Sequence, residues 1–404
     1  MTRTQKSALK FMQTHHSCHF LKTVCLLFFV LLLGTASCGK KSTDSEEVSS
    51  QFKLVAVDSF SINRLSELEL EDYHEGTGEI MMSDRQLADI LVVDKEGNIN
   101  HSFNPIMEGP NTIGNTSYGW TFYGEDKIVA YGRVHYHLLT KDGERIKRVL
   151  YPVETSGHSI LDYNPKMITT MGEGDHLEVV TLITNPIGPN HRTQQFQDSV
   201  KMIYRLDMET GEGRPIMHKP ANGALRTLGK FAGRGWPNMA RLNGNRFVVG
   251  YEIDPKVYLY DVFKDSLLAS FEIPQEYSPE YKSFDFGGRE REVMQKSYVQ
   301  VLGLGDHFIV QVLSNIPEEV MKEIMLIPNW IRSPELDAAV KKYIKSNYLL
   351  FDFNGFVQEL DFNVGATEYR MLSTQKGAIW VQRTYEDERD YRTFVKYQLT
   401  RVSE

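Results

Sequence analysis

Two short patterns alternate along this chain, and their recurrence constrains the fold more tightly than any single motif. The first is a glycine turn running into an apolar strand: Gly78-Glu79-IMMS, Gly124-Glu125-Asp126-KIVAY, Gly174-Asp175-His176-LEVV, Gly244-Asn245-Arg246-FVVGY, Gly305-Asp306-His307-FIVQV and Gly377-Ala378-IWVQR. The second is a strand running into another tight turn around Asp94, Thr140, Asp207, Asp261 and Asp352, with a turnless last copy around Gln398. In units without insertions the two patterns lie 16, 16 and 17 residues apart, and 21 apart in the last. Six units of three or four short strands with period-2 apolar patterning and Gly/Asp/Asn turns predict an all-β fold, a six-bladed β-propeller. Two β-sandwiches in tandem would use strands of the same length, but the regular pairing of the two patterns favours the ring.

The last unit has strands at about 369–374, 378–385 and 391–400 and lacks a fourth. The extended segment Phe52–Ile62 (FKLVAVDSFSI) has no unit of its own and is expected to supply that outer strand, closing the ring without an exposed edge. No Gly/Pro/Ser-rich linker interrupts the chain after residue 62, so 52–404 reads as one domain.

With strands A to D counted from the axis outward, the A–B and C–D turns fall on one face and are short. The opposite face takes the B–C loops and the crossovers, and these are long: Asn104–Ser117, Asn185–Ser199, Met217–Trp236 and Pro274–Lys296. The longest insertion, Asn315–Ser346 in the fifth unit, reads as helical. Asn315 is placed to cap a first helix carrying Val320, Ile324 and Ile327; Ser333 and Pro334 start a second whose Leu336, Val340, Tyr343 and Ile344 share a face. Long loops on one side of a rigid scaffold are where binding usually sits.

The first 37 residues read as a leader. Arg3, Lys6, Lys10 and Lys22 precede the apolar run Val24–Leu33, which is too short to span a bilayer, and no acid occurs before Cys38. The run ends in GTASC, which resembles a lipobox apart from Thr35, where an aliphatic residue is usual. Cys18 and Cys25 lie inside the leader, leaving Cys38 as the single exported thiol and the expected lipidation site. Residues 38–51 read as a flexible tether. Cleavage removes four basic residues and no acid, leaving 41 basic against 53 acidic side chains and a net charge of −12, which argues against a nucleic-acid partner.

On the loop-rich face the sequence places Arg133, His135, His158, Tyr163, Arg234, Trp236, Arg370 and Arg383, with His191, Arg192, Arg289, Arg291 and Glu368 nearby. Arginines and aromatic rings converging on a propeller mouth suit an anionic or carbohydrate-like ligand. Taken singly, each is more commonly a solvated or interblade ion-pair residue. His135 and His137 share a strand face but lack a third ligand of characteristic spacing. Gly-x-Ser-x-Gly, P-loop and HExxH patterns are absent, and no catalytic residue, metal or cofactor is called for. The repeated Gly-Asp-His at 174–176 and 305–307 falls on two of the six A–B turns and reads as turn chemistry.

The lipobox-like start, DSFSIN at 58–63 and the stretch Glu108-Gly109-Pro110-Asn111-Thr112-Ile113-Gly114 resemble the domain of unknown function 4221 family, exported Bacteroides-type lipoproteins related to TolB-like six-bladed propellers. The resemblance runs from about Phe52 onward and implies a propeller with an envelope address; it transfers no catalytic residue. GKKSTDSEE has no acidic cluster directly after the cysteine of the kind that resembles a Bacteroides surface-export signal, so an outer-membrane lipoprotein facing the periplasm is expected, with the cell surface as the alternative. The functional expectation is a non-enzymatic propeller presenting its loop-rich face to a protein or small ligand. The alternative is a metal-dependent hydrolase or lyase using Glu173, Asp175, Asn238 or Glu368 at the central channel.

Overall fold

A computed structural model describes residues 51–402 except 115–116, 156–165, 174–175, 185, 234, 252, 280–282, 287–297, 363–370, 386 and 388, and except the side chains of 173, 298 and 299. Within it, six four-stranded antiparallel sheets follow one another. The first comprises β2 (Leu68–Tyr73), β3 (Ile80–Asp84), β4 (Ile90–Val93) and β5 (Ile99–Phe103). The second comprises β6 (Ser117–Tyr123), β7 (Lys127–Gly132), β8 (His135–Thr140) and β9 (Arg145–Leu150). The third is built from β10 (Ile168–Glu173), β11 (His176–Leu182), β12 (Ile203–Leu206) and β13 (Gly213–Ile216). The fourth has β14 (Pro237–Arg241), β15 (Arg246–Tyr251), β16 (Lys256–Asp261) and β17 (Ser266–Glu272). The fifth holds β18 (Tyr298–Leu304), β19 (His307–Leu313), β20 (Ser346–Asp352) and β21 (Gly355–Leu360). The sixth takes β22 (Met371–Ser373), β23 (Ala378–Gln382) and β24 (Arg392–Val402), and its outer strand is β1 (Gln51–Ile62).

First strands of neighbouring blades touch from β2 to β10 and from β14 to β22, Arg241 of β14 bonds to Thr170 of β10 between them, and β22 meets β2 to close the ring. β1 pairs with β24 from Gln51–Val402 to Ile62–Arg392, so a strand from the start of the domain seals its last blade. Phe60 and Ile62 anchor it in the core between the sixth and first blades, where Phe60 contacts both Trp380 and Phe394.

The core is a set of layers between adjacent sheets. A middle strand is therefore covered on both faces, and the expected period-2 alternation gives way there to continuous apolar runs: ILVV in β4 is buried throughout, as are five successive residues of β19. Alternation survives in outer strands such as β9.

Turn glycines lock blades together. Gly143, between β8 and β9, has φ 84°, and a Cβ there would lie 2.5 Å from the ring of Phe103 on the preceding blade's outer strand. Gly97 receives Phe60 in the same manner one blade earlier.

The insertion between β19 and β20 is helical, with α3 (Glu318–Met325), a 3-10 turn at Trp330–Arg332 and α4 (Pro334–Tyr343); shorter helices α1 (Gln194–Ser199) and α2 (Ala224–Thr227) occupy two other long loops. Ser333 caps α4 as expected, its Oγ accepting from Leu336 N at 3.1 Å. Pro317 rather than Asn315 holds the N-cap position of α3, and no side chain caps it. In α4 the buried residue is Ala339, while Val340 stays 39% exposed. Ile324 of α3 is buried, while Leu326 and Ile331 stay exposed.

Candidate functional site

The first strand of each blade has a backbone edge that no fifth strand covers, so its polar groups face the axis. Side chains bridge these edges from blade to blade. Asp72 accepts from Thr121 Oγ1 at 2.6 Å and Phe122 N at 2.9 Å, and also pairs with Lys166. Arg241 donates from a terminal nitrogen to Thr170 O at 2.5 Å, Gly303 N to Ser373 Oγ at 3.2 Å, and Gln300 Nε2 to Met371 O at 3.4 Å.

Along the axis lie two cavities that share Lys166, Gln300, Met371 and Leu372 and so form consecutive chambers of one channel. The larger, partly open to solvent, reaches toward the ends of the first strands at Glu75, Arg241 and Gln375, the short-turn side. The smaller, also partly open, lies toward the strand starts at Tyr118, Gly119 and Met167, the loop-rich side. Backbone irregularities aim polar groups into both. β2 shifts register between Leu70 and Asp72, at Glu71; β18 does so between Tyr298 and Gln300; β6 between Ser117 and Trp120.

Several of these polar groups lack protein partners. Asn238 is only 6% exposed, lines the larger chamber, and its side-chain amide makes no hydrogen bond. Gln300 Oε1, Arg241 Nε and Glu75 Oε2 are buried without a hydrogen-bond partner among the described residues. Buried polar atoms are nearly always satisfied, so three unsatisfied ones around one cavity, with the Asn238 amide beside them, mark a place suited to something polar, water included.

Charge in the channel is mixed. Burial pushes the Glu71 carboxyl up to about 7, with the neighbouring charge of Glu69 adding to it; the bond from Ser83 Oγ at 2.6 Å opposes this only in part. What exposure Glu71 keeps is toward the smaller chamber. Burial also lowers the pKa of Arg241, against the pull of Asp72 and Glu75.

Of the rim residues expected from sequence, His158, Tyr163, Arg234 and Arg370 lie outside the described residues, as do Arg289, Arg291 and Glu368. Arg133 sits exposed in the turn between β7 and β8. His135 begins β8, a third strand, and its ring lies 6.0 Å from that of His137. Burial lowers its pKa, and Arg148 and Arg145 lower it further. Trp236 packs half-buried against the core just before β14. Arg383, exposed, holds its guanidinium 5.5 Å from the Tyr385 ring. These four stand on three blades, and none lines either chamber. Of the metal-site candidates, Asn238 reaches the channel; among the described residues no group of three His, Cys, Asp or Glu could hold a metal ion.

No family model and no curated protein sequence matches the chain. Among solved structures it is similar to a member of the DUF4221 family from Bacteroides vulgatus, at 12% identity over 87% of this chain and 99% of that one, with a TM-score of 0.58. It is also similar to a streptogramin B lyase (11% identity, 87% and 98% coverage, TM-score 0.38) and to virginiamycin B lyase from Staphylococcus aureus (11%, 87% and 100%, TM-score 0.40). The first likeness shows the fold: this chain is a six-bladed β-propeller of the same architecture as that DUF4221 protein.

Proposed function

We propose that this protein is an exported lipoprotein, anchored through Cys38 to the outer membrane and facing the periplasm, whose propeller binds a small polar ligand in its axial channel without transforming it. The leader, the single exported cysteine and the polar tether support the address. The binding reading rests on one observation, the Gln300, Arg241 and Glu75 atoms left without partners among the described residues around a partly open axial cavity that Asn238 also lines. A thermal-shift screen of polar metabolites tests it. At 100 times its Kd a ligand of the folded state stabilises by about 2.7 kcal/mol. At least one compound should raise the melting temperature of the wild type and not of Asn238→Leu, a change that breaks no protein hydrogen bond. A panel that shifts neither, or both equally, contradicts the reading.

Glu71 favours a second reading. A carboxyl poised near 7 beside a cavity has the profile of a general acid or base. Under that reading a compound found in the screen is converted by the wild type and bound intact by Glu71→Gln; recovery of unchanged compound from the wild type rejects it.

A further inference from the structure

The ligand's chemical class follows from how charge is balanced in the larger chamber, and this inference rests on the channel being the binding site. Two cations line that chamber among the described residues. Lys166 is neutralised by Asp72, whose other oxygen is taken by Thr121 and Phe122. Arg241 has no carboxylate within ion-pair distance among the described residues. One of its terminal nitrogens donates to Thr170 O, and its Nε is buried without a partner. A guanidinium carries five N–H donors in a planar fork, and this half-buried one gives one terminal nitrogen to a carbonyl and leaves its Nε unpartnered among the described residues, so the rest of the fork is open to a ligand. A planar two-oxygen anion fits that fork in bidentate fashion.

The rest of the lining limits how much negative charge the ligand can carry. Glu75 lines the same chamber with Oε2 unpartnered, its Oε1 being held by the backbone N–H groups of Gln375 and Lys376. A dianion would meet this carboxylate unfavourably, whereas a hydroxyl or ammonium group would satisfy it. Asn238 and the Gln300 Oε1 add one free amide and one free acceptor, both suited to hydroxyl or amine groups.

We infer that the channel takes a small monocarboxylate that also carries hydrogen-bond donors, with its carboxylate on Arg241 and its donors on Glu75 and Gln300. A sugar acid, a hydroxy acid and an amino acid share this chemistry. Phosphate monoesters, which bring two charges and three oxygens, do not.

The test is isothermal titration of the purified chain with matched pairs differing by one carboxylate: glucuronate and glucose, lactate and propane-1,2-diol, alanine and ethylamine, with inorganic phosphate as a further probe. In at least one pair the acid should bind about tenfold or more tighter than its partner, as a charge-assisted bidentate contact requires. Arg241→Lys, which keeps the charge and loses the fork, should reduce that preference to under about threefold with thermal unfolding still cooperative. Preference within threefold for every pair in the wild type, preference unchanged in Arg241→Lys, or phosphate outcompeting every carboxylate overturns the inference. Neutral compounds that bind through Asn238 while acids do not would overturn it and leave the channel-binding function standing. Absence of any Asn238-dependent binding removes both.

Discussion

In the folded chain burial keeps Glu71 protonated up to about pH 7, while an unfolded chain would ionise it near its ordinary 4.5. The unfolded state therefore releases its proton first, and stability falls as pH rises from 4.5 through 7. His137 acts in the opposite sense. Burial, with His135 and two arginines adding to it, lowers its pKa to about 4, so the unfolded chain takes up a proton first as pH falls below 6.5. Its contribution, on the order of 3 kcal/mol, is lost between 6.5 and 4. Thermal or urea unfolding across pH 4 to 8 separates them. Glu71→Gln should flatten the loss between pH 5 and 7.5, and His137→Leu the loss between 6.5 and 4; unchanged slopes would mean that these side chains are hydrated in the fold.

At the scale of strands and turns, Gly143 offers a controlled comparison. Ala at Gly244, φ 68° with nothing within 4 Å, meets backbone strain alone; Ala at Gly143 meets similar strain and the Phe103 ring. Denaturant unfolding should show Gly244→Ala costing about 1 kcal/mol and Gly143→Ala about 1–3 kcal/mol more. Equal costs would mean that the blades part easily there. Removing β1 should uncover the long edge of β24 and yield a chain that aggregates, with a peptide of residues 51–62 restoring a monomer on size exclusion. The helical insertion is dispensable by contrast. Leu313 already pairs with Ser346, so a two-residue turn replacing 314–345 leaves a closed hairpin and a melting temperature within a few degrees of the wild type.

These elements also show why the fold could be read from sequence further than the site. A hairpin turn needs a residue at positive φ, so Gly78, Gly124, Gly244, Gly305 and Gly377 announce themselves and count the blades. The closing role of Phe52–Ile62 follows from a unit short of a strand. Channel residues leave no such mark. Glu71 and Gln300 point inward because β2 and β18 bulge beside them, and a bulge breaks the period-2 pattern on which strand reading depends. Arg241 ends PNMAR and looks like an ordinary strand terminus until β14 is known to be innermost, whereas Asn238 of the same strand stood among the channel candidates of the sequence. The rim arginines and histidines stood out in sequence because charge is conspicuous in long loops.

Seen as a whole, the molecule is a ring of interblade layers around a polar axis, with one face of short turns and one of long loops. Binding on the axis is tested by hydrogen exchange of the chain with and without the most stabilising compound from the screen. Added protection is expected in Leu68–Tyr73, Pro237–Arg241 and Tyr298–Leu304, the inner strands that line both chambers or one of them. Protection confined to the long loops and the helical insertion, with these strands unchanged, would contradict it.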